Sequence, residues 1–165
     1  MKWNKKYNKW LIEFSIIIVV LVSIRAWTQR DIISGQIPLL SAKTLTGEVI
    51  NLATPRQQPL LIHFWASWCP VCEFEQNSIQ SISADYPVLS IAMSSGTNKE
   101  IITYMKNSGI NYKVVNDMDG TWVNHFGIKG VPVSFIVDNN NNIKFKEVGY
   151  TTEWGLRLRL WWASL

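Results

Sequence analysis

Apolar and polar positions along this chain fall into blocks of different period. The first block, residues 10–27, "WLIEFSIIIVVLVSIRAW", is apolar almost throughout and has a tryptophan at each end. As a helix rising ~1.5 Å per residue it spans about 27 Å, close to the ~30 Å hydrocarbon core of a bilayer. Glu13 falls one turn inside the first edge, within reach of the headgroups. A second hydrophobic block, "PLLIHFW" at 59–65, is short and continuous, which predicts a buried central strand. It runs through Ala66 and Ser67 into "CPVCEFEQNSIQSISADY", where Pro70 marks a first helical turn and Phe74, Ile79 and Ile82 are placed on a shared buried face. Strands are predicted at 87–93 and 112–116, and helices at 98–109 and 119–127. "PVSFIVD" and "NIKFKEV" flank the polar turn "NNNN" as a hairpin. The last block, "EWGLRLRLWWASL", predicts a helix with Leu156, Leu160 and Trp161 toward the sheet and Arg157 and Arg159 toward solvent. Residues 39–52 read as an added hairpin turning at Thr46 and Gly47. Strand and helix alternate, so the fold class is α/β.

Composition fits one globular domain plus an appendage within 165 residues, and charge sharpens that division. The net charge of +4 is accounted for by Lys2, Lys5, Lys6 and Lys9, since the remaining 12 basic side chains are matched by 12 acidic ones. No basic stripe is left for nucleic acid. Lysines ahead of an apolar run with aromatic ends predict a membrane helix with its N-terminus in the cytoplasm. A cleaved signal peptide is the competing reading, although "VSIRAWTQRD" offers no clean small-x-small cleavage site. The boundaries follow: residues 1–30 form a basic cytoplasmic tail and signal anchor, and residues 31–165 an extracytoplasmic domain.

The two cysteines, Cys69 and Cys72, are separated by two residues. A structural bridge closing so short a loop removes little unfolded-state entropy. A zinc site needs about four ligands, and the chain offers two thiols, His63 and His125 without a second Cys-x-x-Cys. A redox pair fits the context of a strand followed by Cys-x-x-Cys at a helix start. There the unpaired N–H groups and the helix dipole favour an anion at Cys69, while Cys72 lies one turn in and is better shielded.

"FWASWCPVCEFE", "DMDGTWVNHFGIKGVPVSFIVD" at 117–138 and the inserted "TLTGEVINL" occur in an order and spacing that resembles the thioredoxin superfamily. Within it the chain is similar to the membrane-anchored, extracytoplasmic branch of TlpA, ResA and the cytochrome c maturation thioredoxins. Within that branch it also resembles the copper-sensitivity suppressor D proteins. The resemblance runs from about residue 36 to the C-terminus. It implies a thioredoxin-like fold, with a central mixed sheet flanked by helices and an N-terminal β-hairpin extension, preceded by one transmembrane helix. It also implies a single-pass protein of the inner (cytoplasmic) membrane with its catalytic domain in the periplasm or its equivalent.

The resemblance assigns roles. Cys69 is the implied nucleophile and Cys72 the resolving thiol. Pro132 matches the cis-proline that lies against the sulfurs, and Val131 offers main-chain groups to a bound peptide. Trp68, Pro70 and Val71 form the implied contact surface, whereas Trp65 packs in the core. Glu75 matches a glutamate close to the cysteine pair, where a partly buried carboxylate can exchange a proton with Cys72; a solvated helix-face glutamate is the alternative. His63 occupies the position of a buried aspartate in thioredoxin and an asparagine in the extracytoplasmic branch. It is either a proton-handling group beneath the disulfide or a hydrogen-bonded core residue. Asn77 stands where the family carries a helix-kinking proline, which predicts a straighter helix.

The activity so implied is a protein-disulfide oxidoreductase acting on thiols and disulfides of exported proteins. The reductase direction requires a transmembrane thiol donor, and the redox pair serves without a cofactor or metal. A thiol oxidase and a copper-binding module using both thiols are the alternatives.

Overall fold

The computed structural model describes the backbone of residues 5–165 and the side chains of 9–24 and 29–165. The chain divides into two units, Met1–Ile32 and Ile33–Leu165. The first holds helix α1, Lys5–Thr28. Its described side chains are all exposed, the apolar ones included. Trp10 stacks on Phe14 one turn on, and Lys9 pairs with Glu13. Among the described residues no helix is long and apolar enough to cross a membrane. The described stretch, 9–24, is itself shorter than the ~20 apolar residues a span requires.

The second unit carries strands β1 (Gly35–Gln36), β2 (Ser41–Lys43), β3 (Val49–Asn51), β4 (Leu60–Trp65), β5 (Val88–Met93), β6 (Lys113–Asp117), β7 (Val133–Val137) and β8 (Asn142–Val148). Its helices are α2 (Pro70–Ile82), α3 (Asn98–Asn107), α4 (Thr121–His125) and α5 (Glu153–Ala163). Six strands form a mixed sheet in the order β1-β8-β7-β4-β5-β6, while β2 and β3 pair separately as the added hairpin. β4 runs parallel to β5 and antiparallel to β7. This is the thioredoxin-like arrangement the sequence predicts.

Every residue of β4 is buried because both faces of the sheet are covered. Leu61 and Trp65 pack with Ile79 and Ile82 of α2, Ile101 of α3, and Leu156 and Leu160 of α5. On the opposite face Phe64 meets Phe126 and Phe135 at centroid distances of 5.0 and 6.0 Å. Full burial of each such ring contributes about 1.5–3 kcal/mol, so the central strand is pinned from both sides.

Three expectations about helix faces are corrected. Phe74 is not buried but 75% exposed, since it lies about 140° round the helix from Ile79; Glu75 and Gln76 take the buried positions instead. Trp161 is 52% exposed, and Ala163 joins Leu156 and Leu160 inside. Arg157 and Arg159 do not lean freely into solvent. Arg157 pairs with Glu153 and Asp85 at 2.8 and 2.6 Å, and Arg159 pairs with Glu147 at 2.8 Å while covering the Phe145 ring.

Candidate active site

The site forms where β4 ends and α2 begins. Cys69 is the N-cap of α2 with extended backbone, and Pro70 follows at the first helical position, where its missing N–H leaves no hydrogen bond unmade. Cys69 and Cys72 are joined as a disulfide with their Cα atoms 5.3 Å apart. Both sulfurs lie at the edge of the core, Cys69 7% and Cys72 1% exposed. The Cys72 N–H points at Cys69 Sγ over 3.2 Å. In the reduced state this one donor, together with the helix dipole, favours a thiolate at Cys69. The first turn of α2 holds one acidic residue, Glu73, and no basic one.

Around the pair, Trp68 is exposed and anchored by its indole N–H, which donates to the Ser94 carbonyl at 3.1 Å. Pro70 and Val71 are exposed on the same helix start. From the other side the Val131 carbonyl oxygen comes within 3.7 Å of Cys69 Sγ, an acceptor in reach of a thiol once the bridge is reduced. The Val131–Pro132 peptide bond is cis, and the Pro132 carbonyl accepts the Gly149 N–H at 2.9 Å. Gly149 turns the chain out of β8 with a φ of +84°, a region that favours glycine.

Glu75 lies one turn beyond Cys72 on the inner side of α2 and is 1% exposed. One carboxylate oxygen accepts the Thr151 N–H, and the other has no hydrogen-bond partner. Burial therefore pushes its pKa up to about 7, against the pull of the Thr151 donor. A carboxylate tuned there exchanges protons readily at neutral pH.

His63 sits deeper. Register places it opposite Ser90 on one side and Ser134 on the other, with Glu147 opposite Ser134, so a row of four polar residues crosses the sheet face that α5 covers. His63 Nδ1 and Ser134 Oγ are 2.9 Å apart. Desolvation lowers its pKa to about 4, so the ring is neutral at pH 7. This is a hydrogen-bonded core histidine two residues in register from the cis-proline, tied to the cysteines through the sheet.

The structure thus brings Cys69, Cys72, Val131 and Pro132 together at the edge of the core, with Trp68, Pro70 and Val71 exposed beside them and Glu75 one turn further along α2. Sequence reasoning does not reach Thr151, whose contribution is a backbone N–H, or Ser134, which lies 71 residues from His63. Nor does it reach Ser94, the acceptor for Trp68. Among the described residues no group of three or more His, Cys, Asp or Glu side chains is placed to hold a metal ion.

Comparison with known proteins agrees with this geometry. The AhpC/TSA family model matches residues 33–146. A thioredoxin-like protein of Haemophilus influenzae is 26% identical over 162 residues, covering 97% of this chain and 96% of its own length. The sporulation thiol-disulfide oxidoreductase A of Bacillus subtilis is 26% identical over 148 residues, covering 82% of this chain and 89% of its own. A crystal structure of a thiol:disulfide interchange protein of the thioredoxin family from Chlorobium tepidum superposes with a TM-score of 0.69 at 25% identity, over 82% of this chain and 99% of that one. With a cysteine pair at a helix start, a carbonyl of a cis-proline loop against its outer sulfur and relatives of this kind, the chain belongs to the AhpC/TSA family as a thioredoxin-like protein-disulfide oxidoreductase.

Proposed function

We propose that the Ile33–Leu165 unit works outside the cytoplasm, tethered to the inner membrane by α1, and reduces disulfides of exported proteins with electrons from a thiol donor in that membrane. Four lysines ahead of the apolar run 10–27, together with the exposed apolar side chains described within it, support the tether and its orientation. In this reading the Cys69 thiolate attacks a client disulfide, and one client sulfur leaves as a thiolate and takes up a proton. Cys72 gives its proton to Glu75, attacks Cys69 Sγ and releases the second client thiol. Two electrons pass to the client and the Cys69–Cys72 bond reforms, with no cofactor involved. The exposed rim of Trp68, Pro70, Val71 and the Val131 main chain receives the client peptide. His63 serves as a neutral packing group rather than a proton carrier.

The observation that carries the direction is the electrostatics at the start of α2. One backbone N–H faces Cys69 Sγ, no basic residue stands in the first turn of α2, and the one acidic residue there is Glu73. A weakly stabilised thiolate leaves the dithiol easily oxidised, the opposite of a strong oxidant, whose reduced form is stabilised. Equilibration with glutathione or dithiothreitol measures this. The expected reduction potential lies nearer the ~−270 mV of thioredoxin than the ~−120 mV of DsbA. A value above about −180 mV, that of protein disulfide isomerase, overturns the reductase reading.

A further inference from the structure

Exposed large apolar side chains of the second unit include several on α2, on α5 and in the segment that leads into α5. On α5, Trp154, Leu158 and Trp161 are 83, 59 and 52% exposed, and Leu165, two residues past the helix end, is 85% exposed. A spacing of four and three residues aligns Trp154, Leu158 and Trp161 as one stripe on the helix face opposite the buried Leu156 and Leu160. The stripe leads toward the active site. Ser81 in the last turn of α2 and Asp85 just beyond that helix bond Glu153 and Arg157 of α5, so the first turns of α5 lie beside the end of α2. Phe74 is on the same flank of α2 as Ser81, two turns nearer the cysteines. Tyr150, 56% exposed, lies between Gly149, which bonds Pro132, and Thr151, which bonds Glu75. The bordering charges are satisfied, because Arg157 is held by Glu153 and Asp85.

We infer that Phe74, Tyr150 and Trp154, continued by Leu158, Trp161 and Leu165, form a track that seats an apolar, extended segment of the client polypeptide lying on one side of its cysteine. The occupant follows from continuity. The activity requires a client sulfur at Cys69, and the track begins there. Phe74 is about 7–8 Å further along α2, which an extended chain covers in two or three residues; the two turns from Phe74 to Ser81, where α5 begins, add roughly 10 Å, and Trp154 to Trp161 about 10 Å more. The track thus selects clients with large apolar residues about three to nine positions from the reactive cysteine. Lone exposed apolar side chains are ordinary, but a run of this size beside a reactive group marks an interaction surface.

The test uses the full chain, prereduced and in lipid nanodiscs, and it rests on the Cys69–Cys72 reading above. Two symmetric peptide disulfides are compared, one with Phe and Leu at the third and seventh positions from the cysteine and one with Ser and Gln there, in both chain directions. Reduction of either yields two peptide thiols and the enzyme disulfide, so electrons balance. Bis(2-hydroxyethyl) disulfide reports the cysteine chemistry alone, and its failure to react would count against that chemistry rather than the track. The apolar peptide is expected to react about tenfold faster in kcat/KM. The double variant W154S and L158S should lose that preference while its rate with the small disulfide stays unchanged. A preference that survives both substitutions overturns the proposal, whether lipid or nothing then covers the face.

Discussion

Replacing Glu75 with glutamine separates the burial of this carboxyl from its hydrogen bond. In the folded protein Glu75 titrates at about 7, against 4.5 for the unperturbed group. Between those values the folded protein holds a proton that the unfolded chain has released, so this group's contribution to stability falls as pH rises from about 4.5 through 7 and stays low above it. At 1.36 kcal/mol per pH unit the loss is roughly 3 kcal/mol. Glutamine keeps an oxygen for the Thr151 N–H and carries no charge. E75Q should therefore match the wild type at pH 4 and exceed it by up to about 3 kcal/mol at pH 8. Urea titration of the oxidised full chain in detergent at the two pH values measures this, because all other titrating groups cancel in the difference. A difference between wild type and variant that is equal at pH 4 and pH 8 refutes the reasoning. The same variant, reduced, is expected to accumulate the mixed disulfide, since Cys72 loses its nearby proton acceptor.

His63 acts with the opposite sign. Its folded value near 4 lies below the unperturbed 6.5, so the unfolded chain takes up a proton first as pH falls, and stability drops between about 6.5 and 4 by roughly 3 kcal/mol. H63N should abolish that acid loss, and an unchanged acid limb in urea titrations would contradict it. Asp117 is buried and accepts the Trp122 and Val123 N–H groups at 2.9 Å each, fixing the start of α4. D117A leaves two donors without a partner and should lower stability by about 2–4 kcal/mol. A change under about 1 kcal/mol in the urea midpoint analysis would show that water or a rearranged loop replaces the carboxylate.

The central strand and the cysteine helix are legible in the sequence because each is encoded locally, by an unbroken apolar run and by a proline after an N-cap cysteine. What the sequence conceals is angular or tertiary. Phe74 looks like a core residue by composition, yet the helix turns it outward and Glu75 inward, so the carboxyl is buried because of its position. Trp161 and Ala163 exchange roles on α5 in the same way. Arg157 and Arg159 read as solvated until α2 and β8 are placed beside them. The two-residue strand β1 has no periodicity to detect, and the donor that holds Glu75 is a backbone group without a side-chain signature.

The edges of the sheet carry one more consequence. On one side the outermost strand, β1, is only two residues long. On the other, the turn of the β2–β3 hairpin lies against β6, with the Leu45 N–H donating to the Val114 carbonyl at 2.8 Å and Lys113 pairing with Glu48 at 2.7 Å. Each border is thus capped over part of its length, which shortens the row a further strand could join. An enzyme that forms mixed disulfides with other polypeptides holds them at close range. Shortened borders make strand addition less favourable, so a client is held by the sulfur–sulfur bond and the surface around it and can leave when that bond is broken instead of extending the sheet.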